Sequence, residues 1–328
     1  MLAIFQQGGR ALTEVDPATA VDLPDQTVWL DLFQPTPEEI AFVDRMLAIK
    51  LPTRDEMREI EASARVYEAD DALFLTATML VHVDRPPPDT SEITFVLKGE
   101  TLVTLRYADP QPFRGMPARI ERHGPAMHSG LAVLLWLVDQ IVARTADVLE
   151  RAALDIDLLS REIFGAANAH KPKRERINLL EAIERIGRSG DTATRDRECL
   201  LTLARVVLAV SAWESVPAAH RKEARARAKA IHRDIASLTD HATFLANKIS
   251  LLLDATLGMI NIEQTNIIKI FSVLSIVLLP PTLIASIYGM NFEFMPELHW
   301  RLGYPLSVAL MLLSAFVPFW YFRRRGWL

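Results

Sequence analysis

Two uncharged apolar stretches constrain this chain more than any other feature. Ile270–Tyr288 runs for 19 residues without a formal charge, and Leu302–Phe322 runs for 21. A hydrocarbon core needs about 20 helical residues, so each stretch is long enough to cross a membrane once. Buried helices of soluble proteins seldom stay charge-free for so long. Only Gly289–Arg301 separates the two, so a pair of spans must form a helical hairpin. Arg323, Arg324 and Arg325 follow the second stretch directly, which places that end in the cytoplasm by the positive-inside rule. Two crossings then put the N-terminal part on the same side. Lys269 and the aromatic Trp320, Tyr321 and Trp327 fit the interfacial flanks of such spans. Met1–Arg10 contains no basic run followed by an apolar stretch, so no secretory signal is expected.

The rest of the chain divides by pattern. Residues 1–125 read as an α/β cytoplasmic domain. Val28–Leu32, Ala72–His82, Ile93–Leu97 and Leu102–Arg106 have strand composition, the last two joined by a glycine turn at Lys98-Gly99-Glu100. Pro37–Met46 and Thr53–Ser63 read as helices, the first capped by Thr36. Residues 126–217 form a helical hairpin, with Met127–Phe164 and Glu175–Trp213 as its arms and a break at Gly165–Lys173. From Ala218 to Tyr288 the pattern stays helical, starting charged, becoming amphipathic and ending apolar. It contains no proline before Pro280 and one glycine, Gly258. One helix of that length spans roughly 100 Å at ~1.5 Å per residue. It is a stalk continuing into the first span (about 268–288). An outer loop (289–301), the second span (302–322) and a basic cytoplasmic tail (323–328) follow. A lone helix cannot bury such a stripe, so identical neighbours are its simplest partners.

Several function classes are excluded. A net charge of −5 argues against a nucleic-acid partner, which needs a basic face. One cysteine, Cys199, cannot make an intrachain disulfide and reads as a packed thiol. The eight histidines form no HExxH or His/Cys cluster, and neither a GxSxG elbow, a dinucleotide loop nor a GxxxxGK[ST] loop is present. The chain is therefore expected not to be an enzyme and to carry no cofactor.

The first span has a polar side. Ser275, Thr282 and Ser286 share a face with Leu279 and Gly289. Such hydroxyls either line a pore or bond back to their own helix. Pro280 and Pro281 remove two backbone donors and free the carbonyls of Ile276 and Val277. A helix so bent needs a bundle or a cavity around it.

Just beyond that span stand Tyr288-Gly289-Met290-Asn291 and then Met295-Pro296-Glu297-Leu298. In this position the pair resembles the signature of the CorA family of divalent-cation channels. Asn261–Gln264, Pro280-Pro281-Thr282, Gly303-Tyr304-Pro305, Arg325-Gly326-Trp327-Leu328 and Ile60–Arg65 extend the resemblance to the proteobacterial branch over essentially the whole chain. The resemblance implies a homopentameric funnel in the bacterial cytoplasmic membrane. It carries Mg²⁺, and often Co²⁺ or Ni²⁺, with the water shell still on. Asn291 becomes the selectivity residue, with Gly289 and Met290 shaping the loop. Glu293 and Glu297 stand near the outer mouth. Thr282, Leu279, Ser275, Phe271 and Ile268 line the pore, with Thr265 at the inner end, where the family commonly has Asn. Asp254 forms a carboxylate ring in the stalk. Glu59 and, on the stalk, Asp234 become the regulatory Mg²⁺ site between neighbouring subunits, although Arg58 replaces an acidic residue of some relatives.

Physical chemistry agrees with that reading. Mg²⁺ dehydrates reluctantly, so a ring of amide carbonyls accepting hydrogen bonds from its waters suits it better than direct carboxylate ligation. At 100 mV a divalent ion gains about 4.6 kcal/mol on entry, which supports roughly a thousandfold accumulation without ATP. The competing readings are a zinc-transporting relative, which usually departs from Met at the centre of the Gly-Met-Asn motif, and a non-conducting membrane-anchored sensor.

Overall fold

A computed structural model describes residues 1–7, 11–13, 23–84, 88–115, 128–166, 178–213, 218–291 and 295–327. It divides into two units, Met1–Leu253 and Asp254–Leu328.

The first unit is built on a seven-stranded sheet. Its strands are β1 (Leu2–Gln6), β2 (Ala11–Thr13), β3 (Thr27–Phe33), β4 (Val66–Ala69), β5 (Ala72–Val81), β6 (Asp89–Lys98) and β7 (Thr101–Arg106), in the order β2-β1-β3-β7-β6-β5-β4. All neighbours run antiparallel except β3 and β7, which pair in parallel with Trp29 opposite Leu102. All ten residues of β5 are buried, because both faces of the sheet are covered. Alternation sorts them: Leu73, Leu75, Ala77 and Met79 join one core, while Ala72 and Phe74 join the other. The β6–β7 turn is as predicted, with Lys98 opposite Thr101 and Gly99 at φ +57°, a value that favours glycine.

Helices cover both faces. On one side lie α1 (Pro37–Leu47) and α2 (Arg54–Met57), which contribute Phe42, Val43 and Met57 to the second core. Thr36 opens α1 with a full capping box shared with Glu39. On the other side lie α5 (Gly130–Ala166) and α6 (Leu179–Ala212); α3 (Ala62–Arg65) and α4 (Gln111–Arg114) are single turns. The arms α5 and α6 are tied by Arg185, which reaches both Asp155 and Glu162 at 2.9 Å. Thr202 of α6 accepts the Thr78 amide of β5 at 3.0 Å. The first residue of α5 must be glycine: a Cβ at Gly130 would stand 2.3 Å from the Leu102 nitrogen.

The helix α7 runs from Ala218 to Tyr288, the limits the pattern predicts. In the first unit it adds Ala228, Ile231 and Ile235 to the core, and its Lys248 pairs with Asp157 of α5. That ammonium holds the Asp157 carboxyl below the usual carboxylate range. The second unit comprises α7 from Asp254, a short 3-10 turn (Pro296–His299) and α8 (Gly303–Arg324). Both long apolar windows are 6% buried within the chain, so neither is the core helix of a soluble fold.

Four sequence expectations need correction. Thr53–Ser63 is not one helix. Thr53 caps a single turn, Met57 is buried, and the chain then turns so that the buried Arg65 donates to the Glu59 carbonyl (2.6 Å) and to Thr78 (2.9 Å). The strand expected to reach His82 stops at Val81, since His82 has a φ of +52°. Gly165 still belongs to α5. Three strands, β1, β2 and β4, were not anticipated.

Candidate functional site

The predicted pore residues lie on α7 within the second unit. At about 100° per residue, Ile268, Phe271, Ser275, Leu279 and Thr282 fall within a sector of roughly 80°; Thr265 and Asp254 widen it to roughly 120°. Every one of these residues is exposed, with Ile268 at 64% and Phe271 and Leu279 at 65%. The opposite side of the same helix is covered. There Val273 is buried and Val277, Pro280 and Ile284 are half-buried. Val277 shares an apolar cleft with Ala309, Leu312, Leu313, Phe316 and Phe319 of α8. The two spans therefore meet through one face of α7 and leave the predicted pore face open. Sequence reasoning named the open face but not the face that meets α8. The signal was the branched Val273, Val277 and Ile284 at helical spacing, set against the hydroxyls opposite.

The hydroxyls do bond back to the helix. Ser275 donates to the Phe271 carbonyl at 2.9 Å, and Thr282 to the Leu278 carbonyl at 2.7 Å. Thr265 does the same to Asn261 at 2.7 Å. This does not empty them of function. Once its only proton is committed to the backbone, a hydroxyl oxygen presents lone pairs alone. Such an oxygen suits the hydrogens of a hydrated cation's water shell and cannot donate to an anion. Thr265 and Thr282 are separated by about 26 Å along the helix, close to the thickness of a hydrocarbon core. Asp254 lies about 42 Å from Thr282 and so beyond that core.

The helix ends at the motif. The Gly289 amide donates to the Ala285 carbonyl at 2.9 Å and the Met290 amide to Ile287 at 3.3 Å. The chain leaves the helix at Gly289 without a left-handed φ, unlike Gly99 and Gly326. A Cβ there would stand 3.1 Å from the Ala285 oxygen, a tight contact that a shift of a few tenths of an ångström would relieve. Met290 and Asn291 follow exposed, outside the helix. Glu293 lies outside the described residues. Glu297 falls in the 3-10 turn Pro296–His299, and its side chain is likewise outside them.

The two regulatory candidates are in the first unit and both are exposed. Glu59 follows α2, its carbonyl held by Arg65. Asp234 projects from α7 between the buried Ile231 and Ile235. Among the described residues no group of three or more His, Cys, Asp or Glu side chains is placed to hold a metal ion. Cys199 is a packed thiol as expected: it is fully buried, and burial pushes its pKa up to about 12.

Comparison with known proteins covers the whole chain. Residues 24–324 match the family model described as CorA-like Mg²⁺ transporter protein. The chain is 35% identical over 328 residues to the magnesium transport protein CorA of Pasteurella multocida, and 36% identical to that of Escherichia coli K12, with each pair covered completely. Among solved structures, the complete CorA magnesium transporter of Methanocaldococcus jannaschii superposes with a TM-score of 0.76 at 19% identity, covering 100% of this chain and 99% of that one. The full-length CmaX protein superposes at 0.67 with 14% identity, covering 98% of this chain and 96% of that one.

Proposed function

The chain belongs to the family of CorA-like Mg²⁺ transporter proteins, and on that footing we propose that it is one subunit of a channel for potential-driven entry of hydrated Mg²⁺. The observation that carries this reading is the open face of α7. It holds three apolar residues and two acceptor-only hydroxyls in one stripe, opposite the face that meets α8, and it leads to Gly289-Met290-Asn291.

In this reading copies of α7 surround an axis with that face inward, and five copies follow from the family likeness. Hydrated Mg²⁺ arrives at a ring of Asn291 side chains, whose carbonyls accept hydrogen bonds from its waters. Glu293 and Glu297 raise the local cation concentration at the mouth. Thr282 and Ser275 offer further acceptors below, and Thr265 does so at the inner end. Ile268, Phe271 and Leu279 form a constriction that closes by dewetting. Asp254 adds a carboxylate ring on the cytoplasmic side. The N-terminal unit and the Arg323–Arg325 tail both lie in the cytoplasm, consistent with the positive-inside rule. Co²⁺ and Ni²⁺ hold their water in the same geometry and enter by the same path.

Closure depends on cytoplasmic Mg²⁺. Glu59 and Asp234 are exposed carboxylates on separate elements, and a bound ion needs more ligands than either supplies. A neighbouring copy completes the site in this reading. Ion binding removes like-charge repulsion across the contact and favours the closed ring; ion loss favours opening.

The test is Mg²⁺ entry into proteoliposomes under an imposed inside-negative potential. Wild type is expected to admit Mg²⁺ in proportion to the potential, and Asn291→Ala to lose selectivity for Mg²⁺ over Ca²⁺ or most of its flux. Unchanged entry in the variant moves the filter away from the loop. Zn²⁺ or H⁺ flux without Mg²⁺ overturns the Mg²⁺ reading.

A further inference from the structure

The first unit holds two adjoining cavities, of about 400 and 440 Å³, whose walls share Val83 and Arg151. Arg151 of α5 faces the first cavity together with Arg185 and Arg188 of α6, and the second adds Arg114 and Arg144. Five guanidinium groups thus line the two adjoining cavities, whose walls also hold the carboxylates of Asp155 and Asp84.

Their carboxylate partners divide them into two kinds. Arg185 is neutralised by Asp155 and Glu162, and Asp155 also accepts Ser189 at 3.1 Å. Arg114 meets Asp109 at 3.5 Å, and Arg144 reaches Asp84 and Asp147 only at 3.8 and 3.9 Å, with its Nε buried and without a hydrogen-bond partner. Arg151 gives its Nε to the Asp147 carbonyl at 3.2 Å. Among the described residues, neither Arg151 nor Arg188 has a carboxylate within ion-pairing distance. The acid that acts on Arg151 from below is Asp196, which is fully buried with both oxygens unpartnered. Burial pushes its pKa up to about 7, so at neutral pH it compensates Arg151 only in part.

We propose that this groove binds a polyphosphorylated anion, with Arg151 and Arg188 gripping one phosphate and Arg144 reaching the next. Guanidinium groups present forked donors that match phosphate oxygens two at a time. Arg144 and Arg151 are two helical turns apart on α5, about 10 Å along the axis, so their long side chains approach the groove from separate points. The cavity volumes fall in the range of small-molecule sites. The shared chemistry is the phosphate chain, and inorganic pyrophosphate and a nucleoside triphosphate are its two sources. Such anions chelate Mg²⁺, so a site for them on a Mg²⁺ transporter's soluble unit would report how much chelator is free. Binding itself does not depend on conduction.

The experiment uses the purified full-length protein in detergent, with EDTA and constant ionic strength. Pyrophosphate, ATP, inorganic phosphate and adenosine are titrated while heat of binding and melting temperature are followed. Saturable binding of pyrophosphate and ATP is expected, each stronger than phosphate. Equal affinities identify the phosphate chain as the ligand, and tighter ATP adds a contribution from the nucleoside. Arg151→Gln with Arg188→Gln is expected to weaken binding at least tenfold, and Arg205→Gln, on exposed α6 surface, to leave binding unchanged. If the double variant fails to fold, the exposed Arg188→Gln alone carries the comparison. Absence of saturable binding, binding of adenosine alone, or binding equal in the arginine variants and wild type overturns the proposal.

Discussion

The two units of this chain solve the burial problem in opposite ways. In Met1–Leu253 the sheet is covered on both faces by helices of the same chain, and residues such as Leu30, Phe95 and Leu137 are completely enclosed. In Asp254–Leu328 the buried described residues are Thr256, Val273 and Ser307, while large apolar side chains such as Leu312 (67%) and Phe316 (64%) stand open. Apolar surface on that scale is not left to water. One unit closes its core from within; the other is completed from outside, by lipid around α8 and, in the proposed assembly, by copies of α7. The stripe proposed to line the pore belongs to the second kind, which is why a single chain shows its residues without showing a pore.

The largest expected effect separates the units outright. A fragment of residues 1–253 should be soluble and melt cooperatively, whereas residues 254–328 should stay in solution only with detergent or lipid. A 1–253 fragment that aggregates at micromolar concentration would show that its core is not self-sufficient. Within that fragment Phe95→Ala should cost about 3–5 kcal/mol by urea unfolding, as enclosed aromatic deletions do. Leu312→Ala in the full chain should leave the unfolding of the first unit unmoved.

A smaller effect comes from Asp196, the enclosed acid. Its folded pKa is raised to about 7 from an ordinary value of 3.8, so its contribution to stability is full below about pH 4 and is lost as pH rises through about 7. Some three pKa units at ~1.36 kcal/mol each set an upper bound of about 4 kcal/mol. Stability of wild type measured from pH 4 to 8 should therefore fall more steeply than that of Asp196→Asn. Equal slopes would mean that the carboxylate finds a partner or water when charged. The smallest effect is at a helix end: Thr36→Ala removes the capping box of α1 and should cost about 1 kcal/mol.

Legibility followed the same division. The second unit was readable because a bilayer imposes one simple rule, about 20 uncharged residues, and because the motif sits where that rule ends a span. The limits of α7 came out as expected since nothing breaks its pattern before Pro280. The first unit was less readable where tertiary contacts overrule local preference. β4 is four residues long and depends on pairing with β5, as Val66 with Leu75. The turn after Met57 exists because Arg65 reaches back to Glu59, a contact without a local sequence signal. The groove of arginines was invisible for a related reason: Arg151 and Arg188 lie far apart in sequence and meet only through the pairing of α5 with α6. Of the pore candidates, the stripe was legible as a periodicity, but its orientation away from α8 was not, because hydroxyls on a span can equally line a pore or bond back to their own helix.

That orientation is the central claim and is open to direct measurement. The chain's one cysteine, Cys199, is enclosed and weakly reactive, so it supplies a nearly silent background for thiol chemistry. Thr282→Cys, Leu279→Cys and Val277→Cys would be reconstituted separately and treated with a small, charged, membrane-impermeant thiol reagent while Mg²⁺ entry is followed. The account predicts that modification at 279 and 282 blocks entry and that 277 resists modification. Block at 277 with no effect at 279 and 282 would put the ion on the other side of the helix and contradict it.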